Sequence, residues 1–189
     1  MFLETLRAEN GQIKYLSYHQ ARVNRSLQEL DASIHYNLAS LITPPDEGVY
    51  RCRFLYSDEG YETTFHPYTP RSISSLKMLH ADTLDYHLKY SNRKALDDLF
   101  SLRGECDDVL IVKNGFITDT TIANIALFID DQWLTPDTPL LEGTTRARLI
   151  EEGFLIPAPL HTADIAKATK IALMNAMIGF IEVGNGIIA

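Results

Sequence analysis

The sequence predicts an α+β fold with mixed or antiparallel sheets, because hairpin signals recur along the chain and predicted strands outnumber predicted helices. The strongest hairpin signal is Asn114-Gly115, which separates two runs rich in β-branched residues. A doubly wound fold would alternate strands with helices, and this pattern is absent. With 189 residues, the chain can form one large domain or two small ones that share a core.

The first part of the chain is predicted to contain two hairpins with a helix between them. Strands at residues 2–6 and 12–16 flank a turn, and Ser17 to Gln20 has capping-box spacing before an amphipathic helix. Later, residues 49–56 alternate strictly between apolar and polar and pair with residues 61–66. This alternation places Arg51 and Arg53 on one face of the sheet.

The second part is predicted to follow a crossing marked by Pro67 and Pro70. We therefore expect a small subdomain over residues 1–75 and a larger one over residues 76–189. The elements predicted for the larger part are strands within 75–80, 109–118, 125–129, 132–134 and 171–174, helices that end near residues 102 and 152, a short helix at 163–168, and a final apolar run at 180–189.

The composition indicates a folded protein whose main partner is neither nucleic acid nor a membrane. Hydrophobic residues make up 46% of the chain, the formal net charge is −8, and there is no basic run. Cys52 and Cys106 are too few for a disulfide scaffold and lack metal-site spacing. Because the sequence also shows neither a signal peptide nor a run long enough to span a bilayer, we expect a cytoplasmic protein.

Lys89 is the first candidate for chemistry, because it lies where an aromatic-rich run ends and a helical pattern begins. Ser91 and Asn92 are suitable caps for that helix. A lysine at such a junction is held by a rigid element and can face a cleft, as an amine nucleophile requires. The alternative is a solvated lysine, since lysine is seldom buried.

Three further places carry polar residues that could form a site. Gly143-Thr144-Thr145 at a helix start can bind an anion, although helix capping alone would also select threonine there. Asp119 lies between apolar neighbours, which predicts a buried carboxylate that needs a cationic partner or, alternatively, a turn cap. Asn175 interrupts an apolar strand and could instead be a hydrogen-bonded core asparagine.

Together, an amine, a buried acid, a helix N-terminus and an arginine-bearing helix match the requirements of pyridoxal phosphate. The amine of Lys89 would form the Schiff base, and the acid Asp119 would keep the ring nitrogen protonated. The helix end at Thr144 and Thr145, together with Arg22, would hold the phosphate.

The ordered motifs also resemble those of the class IV (fold type IV) pyridoxal-phosphate-dependent aminotransferases and lyases. The resemblance covers nearly the whole chain. Its motifs are Phe2-x-Glu-Thr-Leu, His19-x-x-Arg22, the lysine position Lys89, Asp119 and Asn124 in place of Glu-x-x-x-x-Asn, and Leu141-x-Gly-Thr-Thr-Arg146.

Within that family, Lys89-x-x-Asn92-Arg93 and Asn175-Ala176-Met177 look closest to the 4-amino-4-deoxychorismate lyases. The resemblance implies a two-part homodimeric enzyme with cofactor and amino substrate in a cleft between its halves, and it places Asn124, Asn175 and Ala176 at the cofactor. There are two alternatives to the lyase function. The protein could be an aminotransferase for branched-chain or D-amino acids, or a non-catalytic protein that binds the cofactor.

Two departures from the family pattern accompany this resemblance. The chain begins at the Phe-Glu-Thr motif and lacks the strands that usually precede it, and Asp119 stands where the family has glutamate. We expect a substrate carboxylate to be bound by Arg51 or Arg53, with Arg71 as a further candidate.

Overall fold

The computed structural model describes residues 1–70, 72–184 and 187–188, and it divides the chain into two compact units. The first unit contains Met1–Pro70 and Leu88–Asn92, and the second contains Arg71–His87 and Arg93–Ala189. This differs from the predicted division after residue 75. Leu88–Asn92 joins the first unit because its backbone pairs with the start of the chain.

The first unit is a four-stranded antiparallel sheet with strand order β2-β1-β3-β4 and a helix packed on one face. Its elements are β1 (Phe2–Glu9), β2 (Gln12–Ile13), α1 (Leu16–Glu29), α2 (Leu38–Leu41), β3 (Val49–Tyr56) and β4 (Tyr61–Pro67). Leu6 and Phe54 from the sheet pack with Val23 and Leu27 from α1 in a buried core. The strands therefore alternate between a buried face and a more polar one.

Two local predictions for this unit were wrong. Helix α1 begins after Tyr15, which adopts a left-handed conformation with φ 53°, and no side chain caps it, so Ser17 is not the cap. The segment that forms helix α2 was predicted as loop. The helix was missed because it has only four residues. It is capped by Asn37, whose side chain accepts a hydrogen bond from Ala39 N at 3.1 Å.

The second unit is built on a large mixed sheet with strand order β10-β9-β8-β7-β6-β5-β13, in which β11 pairs with β8 and β12. Its elements are β5 (Leu76–His80), α3 (Lys94–Ser101), β6 (Asp108–Lys113), β7 (Phe116–Thr120), β8 (Asn124–Ile129), β9 (Gln132–Pro136), α4 (Thr144–Glu151), β10 (Ile156–Ala158), a 3₁₀ helix (Thr162–Lys167), β11 (Lys170–Asn175), β12 (Gly179–Glu182) and β13 (Ile187–Ile188). Parallel pairs occur at β5–β6, β5–β13 and β9–β10, and the other pairs are antiparallel. The predicted α+β class with mixed sheets is confirmed.

The hairpin between β6 and β7 forms at the predicted place. Asn114 and Gly115 have φ values of 51° and 83°, as a turn with two left-handed residues requires. Leu110 and Ile117 from its strands join the fully buried core, together with Ile125 and Leu173 from β8 and β11. The large sheet thus provides a rigid base for the β7–β8 connection.

Helix α3 and strand β10 differ from the predictions. Arg93 occupies the N-cap position of α3, and no side chain caps this helix. The prediction that Ser91 or Asn92 caps it was therefore wrong. Ser91 instead donates its hydroxyl to Met1 O at 3.2 Å. Strand β10 was missed because it is a three-residue edge strand that contains Pro157. The end of the predicted 180–189 run lies partly outside the described residues.

Both cysteines, Cys52 and Cys106, are buried free thiols. Within the described ranges, no helix is long and apolar enough to cross a membrane.

Candidate active site

Lys89 is fixed beside the first strand of the sheet in the first unit. Its carbonyl accepts a hydrogen bond from Leu3 N at 2.9 Å, and Tyr90 forms an isolated antiparallel bridge with Phe2. Ser91 N donates to Met1 O at 3.1 Å. These contacts hold the backbone of Lys89 as an additional extended segment along β1, and its side chain is half-buried. The rigid placement predicted for this lysine is therefore present, although a strand edge provides it rather than α3.

The same unit contains a buried network of Glu4, His19 and Arg22. Arg22 donates from Nε to Glu4 Oε1 at 2.7 Å and from Nη2 to Glu4 Oε2 at 2.6 Å. His19 Nδ1 lies 2.6 Å from Glu4 Oε2. All three side chains are buried between β1 and α1. Arg22, predicted to hold a phosphate, is therefore oriented by a two-point contact with a carboxylate.

The charges in this network follow from its contacts. Burial alone would raise the pKa of Glu4, but the charge of Arg22 and the hydrogen bonds from His19 and Arg22 lower it to about 2. Burial lowers the pKa of His19, and the charges of Arg22 and Lys89 act in the same direction. Glu4 is therefore ionised at neutral pH and His19 is neutral, so His19 Nδ1 donates to Glu4.

Glu4 belongs to the Phe2-x-Glu-Thr-Leu motif but was not predicted as a site residue. A signal was available, because Glu4 lies at even spacing between Phe2 and Leu6 on the buried face of β1. A carboxylate at such a position requires a cationic partner, and Arg22 is on the helix that follows.

Asp119 and Asn124 form the centre of the candidate site in the second unit. They are paired across the β7–β8 connection, and Asn124 Nδ2 donates to Asp119 Oδ1 at 2.7 Å. Asp119 Oδ2 accepts a hydrogen bond from Leu141 N at 2.8 Å, and Asn124 Nδ2 also donates to Leu141 O at 2.8 Å. The predicted burial of Asp119 is confirmed. The carboxylate and the amide together hold both backbone polar groups of Leu141.

The environment of Asp119 favours its neutral form in the isolated chain. Burial raises its pKa to about 7, although the hydrogen bonds from Asn124 and Leu141 and the charge of Arg146 oppose this effect. Arg146 is itself buried and donates from Nη2 to Pro136 O at 2.7 Å. A cation placed directly against Asp119 would convert it to a carboxylate, so the group is poised to bind a protonated nitrogen.

The loop that Leu141 belongs to leads directly into α4. Gly143 occupies the N-cap position at the predicted helix start, and Thr144 and Thr145 are buried in the first turn. No side chain caps this helix, so the capping role considered as the alternative for the threonines is not present. A Cβ atom at Gly143 would lie only 1.9 Å from Asn124 Oδ1. The glycine is therefore required by the close approach of Asn124, and its φ of −70° needs no special freedom. This brings the helix N-terminus, with its outward N–H groups, next to the Asp119–Asn124 pair.

Asn175 and Ala176 were predicted at the cofactor. Asn175 is the last residue of β11, Ala176 follows it, and Asn175 contacts the connection between β7 and β8. Asn175 Nδ2 donates to Ile122 O at 3.0 Å, and its Oδ1 accepts from Met177 N at 2.8 Å and Ile178 N at 3.0 Å. The side chain of Asn175 therefore binds backbone groups, in agreement with the structural alternative considered for it.

Arg51 and Arg53 lie on the face of the first unit's sheet opposite the helix-covered core. Arg53 is opposite Thr5 and Thr64, and Arg51 is opposite Arg7 and His66. Three arginines, Arg7, Arg51 and Arg53, thus lie on this face, together with the acidic residues Glu9 and Glu62. Arg71, the third candidate, lies outside the described residues.

The predicted site residues thus form two groups, one in each unit. Lys89 and Arg22 occupy the first unit with Glu4 and His19. Asp119, Asn124, Thr144 and Thr145 occupy the second unit and are joined through Leu141 and Gly143. Leu141 contributes through its backbone N–H and carbonyl, which is why it was not predicted from the sequence as a site residue.

Comparison with known proteins identifies the family of this chain. The model of the amino-transferase class IV family matches residues 1–185. An uncharacterized Haemophilus influenzae protein is 38% identical over 182 residues, which are 93% of this chain and 97% of that protein.

Solved structures agree with this relationship. The crystal structure of a "putative 4-amino-4-deoxychorismate lyase" from Haemophilus somnus 129PT is 36% identical, has a TM-score of 0.88, and is matched over 94% of this chain and 96% of that one. A "putative amino-acid aminotransferase" from Mesorhizobium loti shares the fold, with 24% identity, a TM-score of 0.83 and 99% of both chains covered. The chain therefore belongs to the amino-transferase class IV family, a family of pyridoxal-phosphate-dependent enzymes with the type IV fold.

Proposed function

We propose that this enzyme is a pyridoxal-phosphate-dependent 4-amino-4-deoxychorismate lyase that releases pyruvate and 4-aminobenzoate for folate synthesis. The Haemophilus somnus protein, whose name includes this activity, supports the proposal because its identity of 36% extends over 94% of this chain. The structural observation that carries the cofactor assignment is the buried Asp119 carboxyl, which is joined through Leu141 to the N-terminus of α4. The Asn92-Arg93 and Asn175-Ala176 motifs favour the lyase.

The residues of the second unit fit the cofactor. Asp119 has a raised pKa of about 7 and accepts hydrogen bonds from Asn124, Leu141 and Leu140. A carboxylate has about four lone-pair sites, so Asp119 retains capacity for a protonated ring nitrogen. The α4 N-terminus has no side-chain cap and carries two buried threonines, which suits a phosphate. Bound pyridoxal phosphate would supply an electron sink for the substrate amine.

In the first unit, Lys89 and Arg22 would complete the binding groups. Arg22 would contribute a charged contact to the phosphate, and Glu4 would fix the plane of its guanidinium through the two-point contact. The amine of Lys89, on a backbone held against β1, would carry the cofactor covalently. After the substrate amine displaces it, the Lys89 Nζ becomes available to move protons.

The bond changes of the lyase reaction can be assigned to Lys89. Its Nζ removes a proton from the substrate ring carbon that bears the amine, and the ring becomes aromatic as the bond between the neighbouring ring carbon and the ether oxygen breaks. The enolate of pyruvate leaves with the bonding electron pair and takes a proton at carbon, so the atoms of the substrate are divided between 4-aminobenzoate and pyruvate. Arg51 and Arg53, on the face of the sheet opposite the helix-covered core, would bind the substrate carboxylates.

The test is incubation of the cofactor-loaded enzyme with aminodeoxychorismate and without any keto acid. The proposal predicts many turnovers that form 4-aminobenzoate and pyruvate in equal amounts, because the lyase needs no amino acceptor. The Lys89→Ala variant provides the inactive control. Failure of this reaction together with keto-acid-dependent turnover of an amino acid would identify an aminotransferase. Failure of both with bound cofactor would identify a binding protein.

Family members pair as homodimers, and we propose a homodimer here. Size-exclusion chromatography with light scattering will test it.

A further inference from the structure

The connection between β7 and β8 is a closed turn with Asp119 and Asn124 at its two ends. Thr120 N donates to Ala123 O at 2.8 Å, and Thr120 Oγ1 accepts from Ala123 N at 3.1 Å. These bonds shape the turn from within. The carbonyls of the two residues at its tip, Thr121 and Ile122, accept hydrogen bonds from distant parts of the chain.

Arg93 and Asn175 bind these two successive carbonyls. Arg93 Nη2 donates to Thr121 O at 2.8 Å, and Asn175 Nδ2 donates to Ile122 O at 3.0 Å. The two backbone N–H groups that donate to Asn175 Oδ1 fix which end of its amide faces the turn. The turn is therefore held at its tip from two directions.

The Thr121 side chain is a third point of attachment. Its Oγ1 donates to Asp108 Oδ1 at 2.6 Å, and the same oxygen accepts from Val109 N at 2.8 Å. Asp108 is buried at the start of β6, beside the strand that leads into the turn. The turn is therefore anchored to the sheet as well as to Arg93 and Asn175.

The placement of the turn determines the placement of the candidate site. Asp119, the last but one residue of β7, and Asn124, the first residue of β8, lie on either side of the turn, and both bind Leu141. A turn that loosens would change their distance from Leu141 and thus from the α4 N-terminus. We propose that Arg93 and Asn175 are positioning residues, which hold the β7–β8 turn so that Asp119 and Asn124 meet Leu141 in the geometry that binds the cofactor. This inference rests on the role of Asp119 in the proposed function.

This arrangement gives a physical reason for the two motifs that resemble the lyases. Arg93 and Asn175 are separated by more than eighty positions in the sequence, yet their side chains reach neighbouring carbonyls of one turn. Their effect on chemistry would be transmitted through backbone geometry, without contact between either side chain and the substrate.

The test measures amide hydrogen exchange by NMR in the cofactor-free protein. Arg93→Met removes the donor, and Asn175→Asp removes the donor while it keeps an oxygen for Met177 and Ile178. In both variants, we expect the Leu141 amide to exchange at least about tenfold faster. Arg93→Lys should restore part of the protection. Lys94→Met is the matched control, because it breaks an exposed ion pair with Asp98 and should leave Leu141 unchanged.

A second readout is the titration of Asp119, followed by carboxyl ¹³C NMR. Water that enters a loosened site would lower the Asp119 pKa from about 7 towards its ordinary value. Unchanged Leu141 exchange and an unchanged Asp119 titration, with faster exchange confined to the turn, would overturn the proposal. Loss of folding in both variants but not in Lys94→Met would assign Arg93 and Asn175 a purely structural role and overturn it as well.

These measurements need no cofactor, so they separate the two proposals. If Leu141 and Asp119 respond but Asp119→Asn leaves turnover unchanged, the positioning inference holds and the proposed role of Asp119 fails. If they do not respond and the lyase reaction proceeds, the proposed function holds without the positioning role.

Discussion

Asn124 lies so close to Gly143 that a Cβ atom on Gly143 would approach its Oδ1 to 1.9 Å. The Asn124 amide also donates hydrogen bonds to Asp119 and to Leu141 O. Asn124 therefore cannot shift away from Gly143 without the loss of at least one of these bonds. The glycine of the Leu-x-Gly-Thr-Thr-Arg motif is therefore required by packing against an essential neighbour.

This contact predicts that Gly143→Ala destabilises the protein and weakens cofactor binding. Overpacking of this kind costs about 1 to 3 kcal/mol, and displacement of Asn124 also disturbs Asp119. Chemical denaturation and cofactor titration will measure the two effects. Gly60→Ala is the matched control, because nothing lies within 4 Å of a Cβ there, and it should change neither quantity. Equal behaviour of the two variants would contradict the packing argument.

The Glu4–Arg22 pair predicts separate effects on folding and cofactor affinity. Arg22→Ala leaves the Glu4 carboxylate buried without its cationic partner and with only the neutral His19 beside it, which costs about 3 to 5 kcal/mol of stability. The double variant Glu4→Gln/Arg22→Met should recover most of that stability, because no charge remains buried. Its cofactor affinity should still be at least about tenfold weaker, because a charged contact contributes about 1.5 to 3 kcal/mol. Normal affinity in the folded double variant would show that the phosphate binds elsewhere.

The turn at Asn114-Gly115 and the helix start at Gly143 could be predicted from the sequence because each depends on a few adjacent residues. The burial of Asp119 followed from its apolar neighbours. Long-range partners could not be predicted in this way. The bond between Arg93 and Thr121 spans 28 positions and that between Asn175 and Ile122 spans 53, so both depend on the assembled sheet.

Other parts of the site depend on backbone groups, which sequence patterns do not distinguish. Leu141 is an unremarkable apolar residue in the sequence, yet its N–H and carbonyl join the acid to the α4 N-terminus. Likewise, Leu88–Asn92 pairs with the start of β1. This pairing could not be predicted from the sequence, because it depends on where the folded sheet places Phe2.

The raised pKa of Asp119 predicts that the cofactor-free protein loses stability as the pH rises. Between the ordinary value near 4 and about 7, the unfolded chain has released a proton that the folded chain still holds, so unfolding becomes easier with increasing pH. In Asp119→Asn this contribution, on the order of a few kcal/mol, should disappear. Denaturation of both proteins at a series of pH values will measure it. A wild-type profile that matches the variant would contradict the shift.

The Asp119→Asn substitution should also reduce turnover more than cofactor affinity, because an amide cannot keep the ring nitrogen protonated. Activity within a few-fold of wild type at saturating cofactor would assign the electron-sink role to another residue.

The proposed function depends most directly on Lys89. Its backbone is held along β1 by Leu3, and its amine is assigned to the cofactor. The cofactor-loaded protein can be reduced with borohydride, digested and mapped by mass spectrometry. We expect a pyridoxyl group on Lys89, and none at this position in the Lys89→Arg variant treated in the same way. A pyridoxyl group on another lysine, or no label at saturating cofactor, would contradict this expectation.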